Sequence, residues 1–169
     1  GPSGCGKTQL LRALVDLDVN SGLVSLKATA REQMDPAQWR TRVALLSAES
    51  RWWAPTVGEH FSAVDTQYFE QLGFAVDEVV GWKVERLSSG EKQRLALLRL
   101  LAGKPDVLLL DEPTANLDDD NTRRVEALLR DYLQSHQAAC LWVSHDKAQI
   151  ERIAGRVMMM NGQGLRDAA

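Results

Sequence analysis

GPSGCGKT, residues 1–8, fits G-x-x-x-x-G-K-[ST], the pattern of a phosphate-binding loop whose backbone N–H groups cradle phosphate oxygens. Gly1, Gly4 and Gly6 let the backbone wrap closely around an anion. Lys7 offers a point charge to the β- and γ-phosphates, and the Thr8 hydroxyl can ligate Mg²⁺. Pro2, Ser3 and Cys5 complete the loop. The start of the helix that follows adds its partial positive charge. Such a loop hangs between a buried parallel strand and a helix. The helix is there: Lys7 to about residue 17 carries Leu10, Leu11, Leu14 and Val15 on one face.

Two further stretches answer the loop. VLLLDE, residues 107–112, is four apolar residues followed by two carboxylates. Its strand would deliver Asp111 to a Mg²⁺ shell and point Glu112 at the γ-phosphate, where a carboxylate can polarise the attacking water. Taken alone, it also reads as a strand ending in a solvated acidic turn. LSSGEKQR, residues 87–94, puts small residues before a helix, which makes a second anion site. An ordinary N-cap at Ser88 or Ser89 with Glu91 in the first turn fits equally, and both readings can hold. Two phosphate-facing helix starts with one nucleotide per site suggest that two chains share nucleotides.

Short apolar runs alternate with helical stretches along the chain. LVSL (23–26), VALL (43–46), VLLL (107–110), ACLWV (139–143) and RVMMM (156–160) read as strands. Asp35-Pro36 starts a helix, and TVGE (56–59) has the form of a capping box. Helices are expected from Ser88–Gly90 to about 102, from about 121 to 134 and from 146 to 153. This order predicts an α/β fold, a mainly parallel sheet with helices on both faces. The stretch from about 50 to 86 reads as helical and irregular, broken at Gly73 and Gly81.

Composition narrows the classes. The 169 residues carry 44% apolar and 25% charged side chains, as an ordinary globular domain does. Net charge is −3 and no basic run exceeds two residues, which disfavours a nucleic-acid partner. Two cysteines make no disulfide framework, and no Cys/His cluster has metal-ligand spacing. A reduced, cytoplasmic setting fits.

With these motifs in hand, the chain resembles an ABC-type ATPase, the nucleotide-binding subunit of ABC transporters, over nearly all its length. Residues 1–8 look like Walker A, VLLLDE like Walker B and LSSGEKQR like the ABC signature. ANLD (115–118) is similar to the D-loop, and His145 in WVSHD matches the switch histidine. Spacing agrees: 23 residues separate Ser88 from Asp111 and 34 separate Asp111 from His145. Within the family it looks most like small bacterial FetA-like export ATPases. The resemblance implies a P-loop core over 1–47 and 88–169 and a short helical subdomain over about 48–87. It implies a homodimer sandwiching two Mg-ATP head to tail, with Ser88, Ser89, Gly90 and Glu91 of one chain facing the phosphates held by the other. Glu112 would activate water, His145 would contact the γ-phosphate, and Thr8 and Asp111 would hold Mg²⁺. A transmembrane permease would be the second partner, at the cytoplasmic face of the inner membrane. A soluble regulatory module with little hydrolysis is the alternative.

Departures from the family pattern are few. Ser89 stands where Gly is usual and Glu91 where Gln is usual. Ala48 occupies the place of the Q-loop glutamine, with Glu49 next as a possible metal-side oxygen. About 38 residues separate Ala48 from Leu87, short for the subdomain and too short for the coiled coil of DNA-repair relatives. Trp52 and Trp53 lie where such subunits meet a permease, as a docking anchor or as packed side chains. His60 and His136 read as surface residues. The family carries a strand and an adenine-stacking aromatic ahead of Walker A, so this chain reads as a piece of a longer ATPase.

Overall fold

The computed structural model describes residues 1–2 and 4–168; Ser3 lies outside them. Helix α1 (Lys7–Leu14) leads to a short hairpin of β1 (Ser25–Leu26) and β2 (Thr29–Ala30). Next come α2 (Pro36–Arg42) and β3 (Val43–Leu46), then two short helices, α3 (Thr66–Gln71) and α4 (Val76–Val79). Helix α5 (Ser89–Ala102) feeds β4 (Val107–Asp111), and α6 (Asp119–His136) feeds β5 (Ala139–Val143). Helix α7 (Lys147–Ile153) and a hairpin of β6 (Met158–Asn161) and β7 (Gly164–Asp167) complete the order.

The sheet is β3-β4-β5, fully parallel, with Val43, Val107 and Ala139 in register. Side-chain alternation along β4 builds a core on each face. Leu109 joins Leu11, Val15, Trp39 and Val43 under α1 and α2. Leu108 and Leu110 join Leu95, Leu98, Val125 and Leu128 under α5 and α6. Phe69, Leu72, Phe74 and Val79 from the irregular 48–87 stretch enter that second core. Buried Trp39 donates its indole N–H to the Leu14 carbonyl at 3.0 Å, fixing α2 against the end of α1.

Caps follow the sequence. Asp35 accepts from the Ala37 and Gln38 amides at the Pro36 helix start, and Asp146 caps α7. Two expected strands change. The 23–26 stretch keeps only Ser25–Leu26: Lys27 and Ala28 take φ of 49° and 66° and reverse the chain, and the returning side enters a 3₁₀ turn at Arg31–Gln33 after two paired residues. The last expected strand starts at Met158 and pairs antiparallel with β7, apart from the parallel sheet. The stretch expected to open a helix at 56–59 makes a single 3₁₀ turn at Gly58–His60, with Glu59 accepting from the Thr56 amide and hydroxyl.

Candidate functional site

The phosphate loop is built by left-handed backbone. Gly4 (φ 76°) and Gly6 (φ 98°) take conformations that other residues resist, and Gly6 is the N-cap of α1. Alternating hand turns successive N–H groups into one concavity, the geometry of an anion nest. Gly1 is needed for another reason: a Cβ there would lie 1.9 Å from the Met160 carbonyl oxygen. The loop thus rests against β6. Lys7 Nζ donates to the Gly1 and Pro2 carbonyls at 3.1 and 2.9 Å, so its charge sits over the loop it serves.

One polar pair meets this loop, and a second begins at the next residue of the same strand end. Thr8, in the first turn of α1, donates its hydroxyl to Asp111 Oδ2 at 2.7 Å. Asp111 ends β4 and is buried. Glu112 follows with φ of 49°, its amide bonded to the Val143 carbonyl at the end of β5. Its Oε1 lies 3.0 Å from His145 Nε2. Adjacent parallel strands end together, which is how residues so far apart in sequence meet. Walker-type loop, Asp111, Glu112 and His145 therefore converge at the carboxyl end of the sheet, where open α/β folds bind ligands.

The 88–91 residues stand apart from that centre. Ser88 Oγ accepts from the Glu91 amide at 3.2 Å, and Glu91 Oε2 accepts from the Ser88 amide at 2.8 Å. This reciprocal pair is the N-cap reading. Ser89 is exposed beside it. Gly90 packs on the 115–118 turn: a Cβ there would lie 3.1 Å from the Asn116 carbonyl and from Leu117. Among the described residues no hydrogen bond links 88–91 to the Thr8–Asp111 or Glu112–His145 pairs.

A scan of family models matches the ABC transporter family over residues 1–115. The chain belongs to the ABC transporter family. It is 31% identical over 163 residues to the probable iron export ATP-binding protein FetA of Escherichia coli, covering 89% of this chain and 72% of that one. It is 36% identical over 169 residues to the aliphatic sulfonates import ATP-binding protein SsuB 2 of Mesorhizobium japonicum. That match covers 95% of this chain and 64% of the relative. A bacterial Atm1-family ABC exporter with ATP bound superposes with TM-score 0.83 at 22% identity, over 96% of this chain and 31% of that one. A dimeric post-hydrolysis ATP-binding cassette bound to ADP and Pi superposes with TM-score 0.78 at 21% identity, over 99% and 82%. These two likenesses establish the shared fold.

In this ABC family chain the Q-loop place is occupied by exposed Ala48 and Glu49, while Gln93 of α5 donates to the neighbouring Ser47 carbonyl at 3.3 Å. Trp52 is half-buried and Trp53 is 71% exposed. The Arg99 guanidinium lies 4.7 Å from both ring centres, and burial lowers its pKa. His136 is exposed and stacks on Tyr132. His60 is a correction: it is buried, its Nε2 accepting from the Trp53 and Ala54 amides.

Sequence reasoning missed the polar layer beneath Glu112 and His145. Thr114, Ser144, Gln149, Glu126 and Arg152 form it. The Arg152 fork, and secondarily Gln149, hold the Glu126 carboxyl below its ordinary pKa despite its burial. No short motif spells this layer, because its members come from four separate segments.

Proposed function

We propose that the chain binds Mg-ATP and hydrolyses it as one half of a head-to-tail pair that drives a separate membrane permease. The observation that supports this is the Thr8–Asp111 hydrogen bond beside the phosphate loop, with the Glu112–His145 pair beginning at the next residue. Loop amides of residues 1–6 and Lys7 would hold the β- and γ-phosphates, with Ser3 assigned from sequence alone. Thr8 Oγ and Asp111 Oδ2 are hard oxygens, the donor type Mg²⁺ takes, and they would hold it. Mg²⁺ bound there neutralises charge on phosphate oxygens. Glu112 takes a proton from water as the water oxygen bonds to the γ-phosphorus. The bond from that phosphorus to the bridging oxygen breaks, releasing ADP and inorganic phosphate. His145 holds the Glu112 carboxylate through Nε2, and donation to the γ-phosphate as well would come from Nδ1 of the doubly protonated ring.

Ser88, Ser89, Gly90 and Glu91 of a second copy would close the site. Residues 48–87 would form the helical subdomain, and exposed Trp53 would meet the permease. No described helix is long and apolar enough to cross a membrane; the assigned place is the cytoplasmic face of the inner membrane. The relatives named above differ in cargo and in direction, which supports the reading that the permease chooses the cargo.

The test pairs two variants. Lys7→Ala is expected to lose binding of a fluorescent ATP analogue, and tight binding would refute the site. Glu112→Gln is expected to keep binding, lose about 10²–10⁴-fold in turnover, and accumulate an ATP-dependent dimer on size-exclusion chromatography. Equal, negligible rates for wild type and Glu112→Gln would overturn hydrolysis.

A further inference from the structure

Glu112 and His145 are themselves partly open to solvent, with side chains 34% and 45% exposed. Surrounding packing therefore does not enforce their 3.0 Å approach; the turns that carry them must. One buried amide fastens both turns. Gln149, 2% exposed on the first turn of α7, accepts from Ser144 Oγ at 2.9 Å through Oε1. Its Nε2 donates to Thr114 Oγ1 and to Glu126 Oε1, each at 3.0 Å. Ser144 precedes His145, and Thr114 lies two residues past Glu112.

The amide has only one workable orientation. Glu126, ionised, can only accept, and its carboxylate already takes the Arg152 fork at 2.8 and 2.6 Å. The NH₂ of Gln149 must face it, which leaves the carbonyl for Ser144. Ser144 Oγ in turn accepts from the Asp146 amide at 3.1 Å, closing the turn around His145. Thr114 Oγ1 also lies 3.4 Å from Gln149 Oε1, so its hydroxyl can bond either end of the amide, while Glu126 and Arg152 fix which way the amide faces, as a preorganised support requires.

We infer that Gln149 is a positioning residue for hydrolysis: by tying the Thr114 turn to the Ser144 turn, it sets the Glu112–His145 pair in line with the γ-phosphate. This rests on the ATPase reading above.

The experiment measures kcat, KM and the pH–rate profile with Mg-ATP, together with the ring ¹⁵N shifts of His145. Gln149→Ala is expected to lower kcat about 10–100-fold, the scale of a misplacement near 1 Å, with KM within about threefold. The pH profile changes shape and the Nε2 resonance moves to that of a solvated imidazole. Thr114→Val cuts only the link to the Glu112 turn and moves each readout the same way, less far; it decides the matter if Gln149→Ala does not fold. Glu126→Gln combined with Gln149→Glu keeps one carboxylate and one amide in contact and recovers most of the rate that Gln149→Glu alone loses. Wild-type turnover with kcat, pH profile and His145 shifts unmoved in the folded variants overturns the proposal. If wild type hydrolyses nothing, the ATPase reading and the role of Gln149 in hydrolysis fall together; His145 shifts that still move in Gln149→Ala then show that Gln149 sets the Glu112–His145 pair without serving turnover.

Discussion

His60 Nε2 lies 3.0 and 3.1 Å from the backbone nitrogens of Trp53 and Ala54, and Nδ1 lies 2.9 Å from the Thr56 carbonyl. Only a neutral ring with its proton on Nδ1 serves all three contacts. The ring also meets Trp52 and Trp53 edge-on at 4.7 and 4.6 Å. His60→Ala removes one acceptor and one donor from a tight loop, an expected cost of about 2–3 kcal/mol. Thermal unfolding should fall by roughly 4–12 °C, with tryptophan emission shifted to the red. An unchanged melt and unchanged emission would mean that the imidazole does not staple this loop. Nothing local in RWWAPTVGEH announces the role: it arises because residues 53–56 fold back over the ring. The Thr8–Asp111 and Glu112–His145 pairings were foreshadowed in the sequence because the motifs that carry these residues have fixed residue types at fixed spacing. Gln149 was not, because a glutamine near a helix start carries no chemistry until the turns around it are known.

At the level of elements, one carboxylate ties three of them together. Asp106, just before β4, accepts from Arg42 Nε and Lys27 Nζ, each at 2.7 Å. Arg42 closes α2 ahead of β3, and Lys27 lies in the turn of the β1–β2 hairpin. The Arg42 hydrogen bond, then that of Lys27, holds the Asp106 carboxyl below its ordinary value of 3.8. A carboxyl depressed by folding stabilises above its unfolded pKa and loses that contribution as pH falls through the folded value. Asp106→Asn should therefore cost about 1–2 kcal/mol at neutral pH. The gap between wild-type and variant melts should narrow as pH falls below 3.8 and through the depressed folded value. A gap that persists in acid would show that shape, not charge, does the holding. Elements were legible unevenly, for physical reasons. VLLL was read correctly because a central strand buried on both faces must be continuously apolar, and VALL and ACLWV because the strands flanking it are apolar where they pair with it. The β1–β2 reversal hid because Lys27 and Ala28 occupy left-handed positions that Asn-Gly usually fills. The NGQG stretch at 161–164 does carry turn chemistry, and it separates β6 from β7.

For the whole molecule, the described hydrogen bonds of 88–91 do not reach the Thr8–Asp111 pair, so nucleotide binding and closure by a second copy can be tested apart. A nucleotide held by the loop, Asp111 and His145, as proposed, would tie together α1, β4 and the end of β5. Mg-ATP at about 100 times its Kd should add about 2.7 kcal/mol, raising the melt of the 169-residue chain by roughly 5–10 °C. Closure by a second copy would depend on the exposed start of α5. Ser89→Asp probes this cleanly, since an acidic residue in the first turn of a helix suits the macrodipole and should leave the monomer folded. The same carboxylate would meet the γ-phosphate of a facing copy with like charge. Dilute Ser89→Asp should therefore keep the full Mg-ATP shift, while ATP-dependent dimers and turnover are lost. Loss of the shift in dilute protein would place residue 89 at its own chain's nucleotide. Retained turnover would remove the 88–91 turn from the active assembly altogether. Either result would overturn the head-to-tail arrangement while leaving the phosphate loop itself untouched.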